Sequence, residues 1–337
     1  MRVLVTGGAG FIGSHLVDQL IARGDTVCVL DHLSTGRIEN IRHHLGRPGF
    51  TLVNDTILNA DVVNRLVEGA DLVFHLAAAV GVRYIVDDPL SAISANVEGT
   101  ENVLRAAFRF WRKVVIASSS EVYGKSAKVP LSEDDDRVLG PTTVARWSYS
   151  SSKAIDEHFA YAYAARGLPA VILRFFNVYG PRIHENGYGT VVARFIHQAL
   201  NGRPLTVHGD GQQTRCFSYV DDTVRGVLLA SAVPEAEGHV FNIGNDAEIS
   251  MYDLACLAKR LTDSESAIQL VPYHDCYGQH FEDTPRRVPD LRKAARVLDY
   301  APRVRLEDGL LRTIQWCREH RFVDGARDAM PAGSLER

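Results

Sequence analysis

Tyr149 and Lys153 are spaced to share one face of a helix, four residues apart. About one helix upstream lies the hydroxyl-rich run Ser118-Ser119-Ser120-Glu121. A phenol with an ordinary pKa of about 10 is a poor base at neutral pH. A fixed ammonium within a few ångströms favours the phenolate and predicts a lowered pKa for Tyr149, making it a proton acceptor for a substrate hydroxyl. Tyr-x-x-x-Lys also arises by chance on many surface helices, so the pair gains meaning only from the elements that position it.

The chain opens with a short apolar strand, Arg2 to Thr6, followed by Gly7, Gly8, Gly10 and Gly13 and an apolar helical period at Phe11, Ile12, Leu16, Leu20 and Ile21. The glycines fit both Gly8-x-Gly10-x-x-Gly13 and Gly7-x-x-Gly10-x-x-Gly13. Either serves one purpose: a tight turn, close backbone approach, and free N–H groups at a helix start for a pyrophosphate. A second strand, Thr26 to Leu30, ends at Asp31, where an acid accepts both ribose hydroxyls of NAD and would repel a 2′-phosphate. Arg37 is the only nearby cation that could favour NADP.

A chain of 337 residues, 46% hydrophobic, can bury a large core in one large or two closely joined domains. A net charge of −4 without a basic stripe argues against nucleic acid or an anionic membrane as partner. No apolar run reaches a membrane span, and Met1 leads directly into a strand, so no signal peptide and a cytoplasmic location are expected. Cys28, Cys216, Cys256, Cys276 and Cys317 lack any Cys-x-x-Cys pair and read as reduced thiols without metal. His43-His44 reads as part of a solvated loop.

Further strands are expected at Phe50–Asp55, Asp71–Ala77, Lys113–Ser119 and Pro169–Val178, with helices around Ala60–Glu68, Leu90–Phe110 and Tyr149–Arg166. This alternation predicts an α/β fold with a Rossmann-type, doubly wound parallel sheet. Asp31, Asp55, His75 to Ala78, Ser119 and Asn177 then fall at strand carboxyl ends, around one crevice. Past Tyr179 come short strands (Leu205–His208, Val240–Ile243, Ile268–Val271) and helices near Val191–Leu200, Asp221–Ala232, Ser250–Arg260 and Asp290–Leu298, with Ser250 an N-cap. The expected division is a NAD-binding domain at 1–178, with segments near 215–244 returning to it, a smaller α/β substrate lobe at 179–323, and a frayed tail at 324–337.

Across residues 1–320 the chain resembles the extended short-chain dehydrogenase/reductases, in the NAD-dependent nucleotide-sugar epimerase/dehydratase group. The resemblance rests on Thr6 to Gly13, His75-Leu-Ala-Ala78, Ser119-Ser-Glu-Val-Tyr-Gly124, Tyr149-Ser-Ser-Ser-Lys153, Arg174-Phe-Phe-Asn177-Val-Tyr-Gly-Pro-Arg182 and Arg287-Val-Pro-Asp290. It implies catalytic roles for Ser119, Glu121, Tyr149 and Lys153. It implies NAD contacts from Gly7, Gly10, Phe11, Ile12, Gly13, Asp31, Asp55 (to adenine), Leu76, Ala77 and Ala78, with Tyr149 and Lys153 facing the same cofactor. Substrate contacts are implied for Ser120, Asn177 and Arg182, with Arg215 and Arg287 clamping the pyrophosphate through bidentate guanidinium groups. A homodimer through the helices at 90–110 and 149–166 is implied as well.

The chemistry implied is oxidation at C4 of a sugar still joined to its nucleotide, most simply a UDP-sugar. A 4-ketone acidifies C5 and weakens bonds β to the carbonyl, so the intermediate can be epimerised at C4, dehydrated across C5 and C6, or, where C6 is a carboxylate, lose CO2, with NAD regenerated. Ser120 stands where many 4,6-dehydratases resemble Thr-Asp-Glu, which removes the acid for a departing hydroxyl. The hydroxyl-Ser-Glu run, with Pro141 to Tyr149 and Tyr277 to Asp290, is most similar to UDP-glucuronate decarboxylases and UDP-apiose/xylose synthases, where the Glu and the Arg at position 287 act near the carboxylate and protonate C5. A 4-epimerase of UDP-glucose or UDP-glucuronate and a 4,6-dehydratase remain open as alternatives. So does a non-enzymatic NAD sensor, although a sensor needs the glycines and Asp31 but not Tyr149, Lys153 and Ser119.

Overall fold

The computed structural model describes residues 1–80, 88–183, 191–277 and 284–320. The first half alternates as its patterning requires: β1 (Arg2–Thr6), α1 (Phe11–Ala22), β2 (Thr26–Leu30), β3 (Phe50–Val53), α2 (Ala60–Glu68), β4 (Leu72–His75), α3 (Pro89–Phe110), β5 (Lys113–Ser119), α4 (Arg146–Ala164) and β6 (Ala170–Phe175). The second half is shorter-stepped: β7 (Val178–Tyr179), α5 (Val191–Leu200), β8 (Leu205–His208), β9 (Thr214–Cys216), β10 (Ser218–Tyr219), α6 (Val220–Ala232), β11 (Val240–Ile243), β12 (Glu248–Ser250), α7 (Met251–Leu261), β13 (Ile268–Val271), α8 (Tyr273–Tyr277), β14 (Arg286–Arg287), α9 (Arg292–Leu298) and α10 (Leu306–Glu319).

Seven parallel strands form the main sheet in the order β11-β6-β5-β4-β1-β2-β3. The chain winds outward from β1 to β3, then returns and continues from β4 the other way. The switch between β1 and β4 opens a crevice at their carboxyl ends, where ligands of such sheets bind. Register aligns those ends, with Thr6 beside Leu30 and His75, and Ser119 beside Phe175. Strands such as Val-Leu-Val and Val-Val-Ile are apolar throughout because helices cover both faces. One face packs Leu16, Leu20, Val224 and Val227, the other Val63, Val67, Val103 and Ala107, and all eight are sequestered from solvent.

The expected strand Pro169–Val178 is two pieces. β6 stops at Phe175, Asn177 takes a positive φ of 34°, and β7 pairs with β10 in a separate two-stranded ladder. A small sheet, β12-β9-β14, was not foreseen as strands, and α10 went unread. Ser250 does cap α7, its hydroxyl accepting from the Asp253 N–H at 3.0 Å, a contact type worth about 1 kcal/mol. His43 and His44 form a 3-10 turn rather than a solvated loop, with His44 buried against Phe50. The expected tail at 324–337 lies outside the described residues.

Candidate active site

The glycine turn is built by exclusion. Gly7 sits at φ +72°, and a Cβ there would lie 2.7 Å from the Ala77 backbone nitrogen. A Cβ on Gly13 would lie 2.1 Å from the Gly7 carbonyl oxygen, so α1 approaches β1 only because position 13 has no side chain. Gly10 caps α1 in extended conformation without any side-chain cap, which leaves first-turn N–H groups directed at a ligand. Phe11 and Ile12 anchor that turn against the core. At the end of β2 the buried Asp31 accepts from the Ala9 N–H at 2.9 Å and the Leu33 N–H at 2.8 Å, which fixes its carboxylate beside the turn. A cradle of bare backbone donors beside a fixed carboxylate fits a dinucleotide with a free ribose diol. Leu76, Ala77 and Ala78 follow β4 along the same crevice, with Ala77 N–H donating to Thr6 Oγ1 at 3.2 Å. Asp55 takes local bonds, from Thr56 N–H at 2.7 Å and Asn59 Nδ2 at 3.1 Å.

β5 ends at Ser119, whose hydroxyl accepts from the Glu121 N–H at 3.2 Å and so turns the chain into a 3-10 helix spanning Ser120–Tyr123. This turn buries Ser120 and presents Glu121. Tyr149 and Lys153 come from α4, which packs on that same turn. Lys153 is buried; its ammonium donates to Ala117 O at 3.0 Å and Asp156 Oδ2 at 3.1 Å.

The expected lowering of the Tyr149 pKa is corrected here. Burial penalises the phenolate most, and although Lys153 and a hydrogen bond from Ser119 favour it, Glu121 and Asp156 oppose it, so the pKa is raised. Burial also works against the charge on Lys153, but Asp156 and the Tyr149 hydroxyl outweigh it and hold the ammonium above its usual range. The lysine's cation is therefore already matched by a carboxylate three residues along the same helix.

Around Glu121 the sign reverses. Arg287 Nη1 donates to its Oε1 at 2.6 Å, and Arg146 Nη2 lies 3.7 Å from its Oε2. Burial alone would raise the Glu121 pKa; Arg287, Arg146 and, less strongly, Arg215 bring it down to about 2. Arg287 is buried, and Thr284 Oγ1 accepts from its Nη2 at 3.3 Å. Its neighbour Arg286 points outward to Glu248, so only one of the two arginines enters the site. β9 and β14 place Arg215 and Arg287 side by side in register. Arg146 was given no role by the sequence reading, yet its position one turn before Tyr149 is the signal that both share a helix face.

Asn177 Nδ2 donates to the Cys216 carbonyl at 3.0 Å, tying the end of β6 to β9. Arg182 stands apart from the Glu121 cluster in its contacts. Its guanidinium donates to Asp18 Oδ2 on α1 at 2.7 Å, while His43 and His44 Nε2 lie 2.8 and 2.6 Å from Asp18 Oδ1. A sugar contact from Arg182 would require it to leave that carboxylate. His75 bridges Thr6 Oγ1 at 2.7 Å and Thr100 Oγ1 at 3.0 Å, and its complete burial, reinforced by Lys153, lowers its pKa to about 3, so it is neutral.

Comparison with known proteins agrees with this geometry. Residues 3–244 match the model of the NAD dependent epimerase/dehydratase family. A UDP-N-acetyl-alpha-D-glucosaminuronate decarboxylase from Bacillus cytotoxicus is 42% identical over 318 residues, covering 94% of this chain and 98% of that protein. UDP-glucuronic acid decarboxylase 1 from Danio rerio is 40% identical over 319 residues, covering 94% of this chain and 72% of the relative. Among solved structures, a UDP-glucuronic acid 4-epimerase from Bacillus cereus, in complex with UDP-glucuronic acid and NAD, superposes with a TM-score of 0.84 at 31% identity, covering 95% of this chain and all (100%) of that one.

Proposed function

The chain belongs to the NAD-dependent epimerase/dehydratase family, and we propose that it removes CO2 from a UDP-hexuronate, UDP-glucuronate first, through a 4-keto intermediate. The observation that carries this reading is the convergence of Arg287, Arg146 and Arg215 on Glu121, two residues from Ser119. Guanidinium groups gathered around one carboxylate suit the recognition of a second carboxylate, the C6 group of a uronate. A neutral hexose has no group that needs it. The decarboxylase names of the similar proteins support the same choice.

Gly7, Gly10, Gly13, Phe11, Ile12, Asp31, Asp55 and Leu76 to Ala78 would hold NAD, which supplies the oxidising capacity at C4. Tyr149 accepts the O4 proton and Ser119 hydrogen-bonds the same oxygen, so both must face C4. Lys153 stabilises the phenolate form of Tyr149 that accepts this proton. Once O4 is a ketone, the C5–C6 bond of the β-keto acid breaks and its electron pair passes into the enolate, which the Ser119 and Tyr149 hydroxyl groups stabilise. Arrival of the substrate carboxylate competes for Arg287 and places like charge beside Glu121, which raises the Glu121 pKa and equips it to deliver a proton to C5. Ser120 and Asn177 would contact the sugar diphosphate, with Arg215 and Arg182 as further cations.

We assign residues 1–178 mainly to NAD and 179–323 mainly to the nucleotide sugar. Exposed Leu90 and Ile93 on α3 and Ile155 and Tyr161 on α4 support a homodimer through those helices. Among the described residues no helix is long and apolar enough to cross a membrane. A second reading, 4-epimerisation of the uronate with its carboxylate retained, draws support from the Bacillus cereus structure. Mass spectrometry of products from UDP-glucuronate and its 2-acetamido analogue separates the two: loss of CO2 supports decarboxylation, and an isomer of unchanged mass replaces it with epimerisation.

A further inference from the structure

Asp156 is among the most enclosed carboxyl groups of the protein, 1% exposed, and the chemistry above does not use it. Its Oδ2 lies 3.1 Å from Lys153 Nζ, and Lys153 is itself only 2% exposed, so the pair neutralises itself where water cannot screen it. The next acid on α4, Glu157, is engaged elsewhere: Arg174 grips both its oxygens at 2.9 and 2.7 Å, and Ser118 donates to it. Among the described residues, the other groups facing the pair are Tyr149 on α4, Glu121 beyond β5, Thr100 on α3, and neutral His75 on β4. Among the described residues, Asp156 is the carboxylate in direct contact with the Lys153 ammonium.

We propose that Asp156 is a positioning residue for C4 oxidation: it anchors the Lys153 ammonium and cancels its charge, so that Tyr149 keeps its proton in the free enzyme. With Asp156 ionised, loss of the Tyr149 proton turns a neutral buried cluster into an anion. With Asp156 replaced by a neutral side chain, the same loss turns a cation into a neutral pair, which is the easier step. The carboxylate therefore moves the onset of base catalysis to higher pH and keeps Tyr149 able to return a proton to O4 when the ketone is reduced. The inference rests on the assignment of Tyr149 as the C4 base.

The test is an ultraviolet titration of Tyr149 in the free protein, read as the difference between each protein and its Tyr149→Phe counterpart, paired with the pH profile of C4 oxidation. Asp156→Asn and Asp156→Ser are expected to lower the Tyr149 midpoint by about one unit or more and to move the acid limb of the rate profile the same way. Asp156→Glu, which keeps the charge, stays within about 0.3 unit of the native chain, as does Thr100→Val. An unchanged or higher midpoint in both neutral variants overturns the inference, as does an equal shift in Asp156→Glu. Failure of the native chain to oxidise any UDP-sugar would instead remove the functional reading, and the free-protein titration still decides the electrostatic one.

Discussion

Replacing Glu121 by Gln removes the negative centre of the arginine cluster while keeping its shape. In the native chain the carboxyl pKa falls from 4.5 to about 2, under burial that opposes the change and Arg287 and Arg146 that cause it. At about 1.4 kcal/mol per unit, that fall corresponds to about 3 kcal/mol of stability at neutral pH, an upper figure because the side chain is 23% exposed. A depressed carboxyl pKa contributes its full stabilisation above the unfolded value of 4.5 and loses it as pH falls towards about 2. The native chain should therefore exceed Glu121→Gln in stability by up to about 3 kcal/mol at pH 7, with the gap closing as pH drops below 4.5. Urea unfolding followed by circular dichroism at neutral pH and at successively lower pH measures it. The same variant removes the carboxylate that competes with a uronate for Arg287, so a uronate should bind more tightly while turnover falls, giving lower KM together with lower kcat. A stability gap independent of pH, or a KM that rises with a uronate substrate, would refute the reasoning.

Two further predictions concern the oxidation step and its cofactor. Tyr149→Phe should slow the appearance of reduced nicotinamide absorbance by at least about 100-fold while NAD stays bound; turnover close to native removes Tyr149 as the base. Gly13→Ala places a methyl 2.1 Å from the Gly7 carbonyl, so it should lower stability by about 1–3 kcal/mol and abolish the rise in Tm that NAD gives the native chain. A variant with native Tm that still responds to NAD contradicts the cradle.

Local signals carried the crevice. Apolar runs, glycine spacing and an acid after β2 are properties of neighbouring residues, and Gly7, Asp31 and Ser119 fall at the aligned ends of β1, β2 and β5, with Gly13 in the first turn of α1, as those signals require. The arginine cluster was legible only through family resemblance, since Arg287 meets Glu121 across 166 positions and from a two-residue strand too short to have a period. The Tyr149 pKa was misjudged because its burial, which penalises the phenolate most, has no local signature, and because Lys153 was weighed without Asp156. The Asp156 spacing was visible, but its burial depends on α3 packing against α4 and has no local signature. α10 lacked a capping side chain at Arg305 and so offered a weak start signal despite its apolar positions Leu306, Leu310 and Ile314.

On the function proposed above, the cations around Glu121 receive a substrate carboxylate that the reaction then expels. UDP-glucuronate labelled at C6 and incubated with the full chain and NAD tests it most directly. Labelled CO2 is expected to be released in step with a UDP-pentose or its 4-ketone, and its release to be abolished in Tyr149→Phe. Label retained in a UDP-hexuronate of unchanged mass would contradict it.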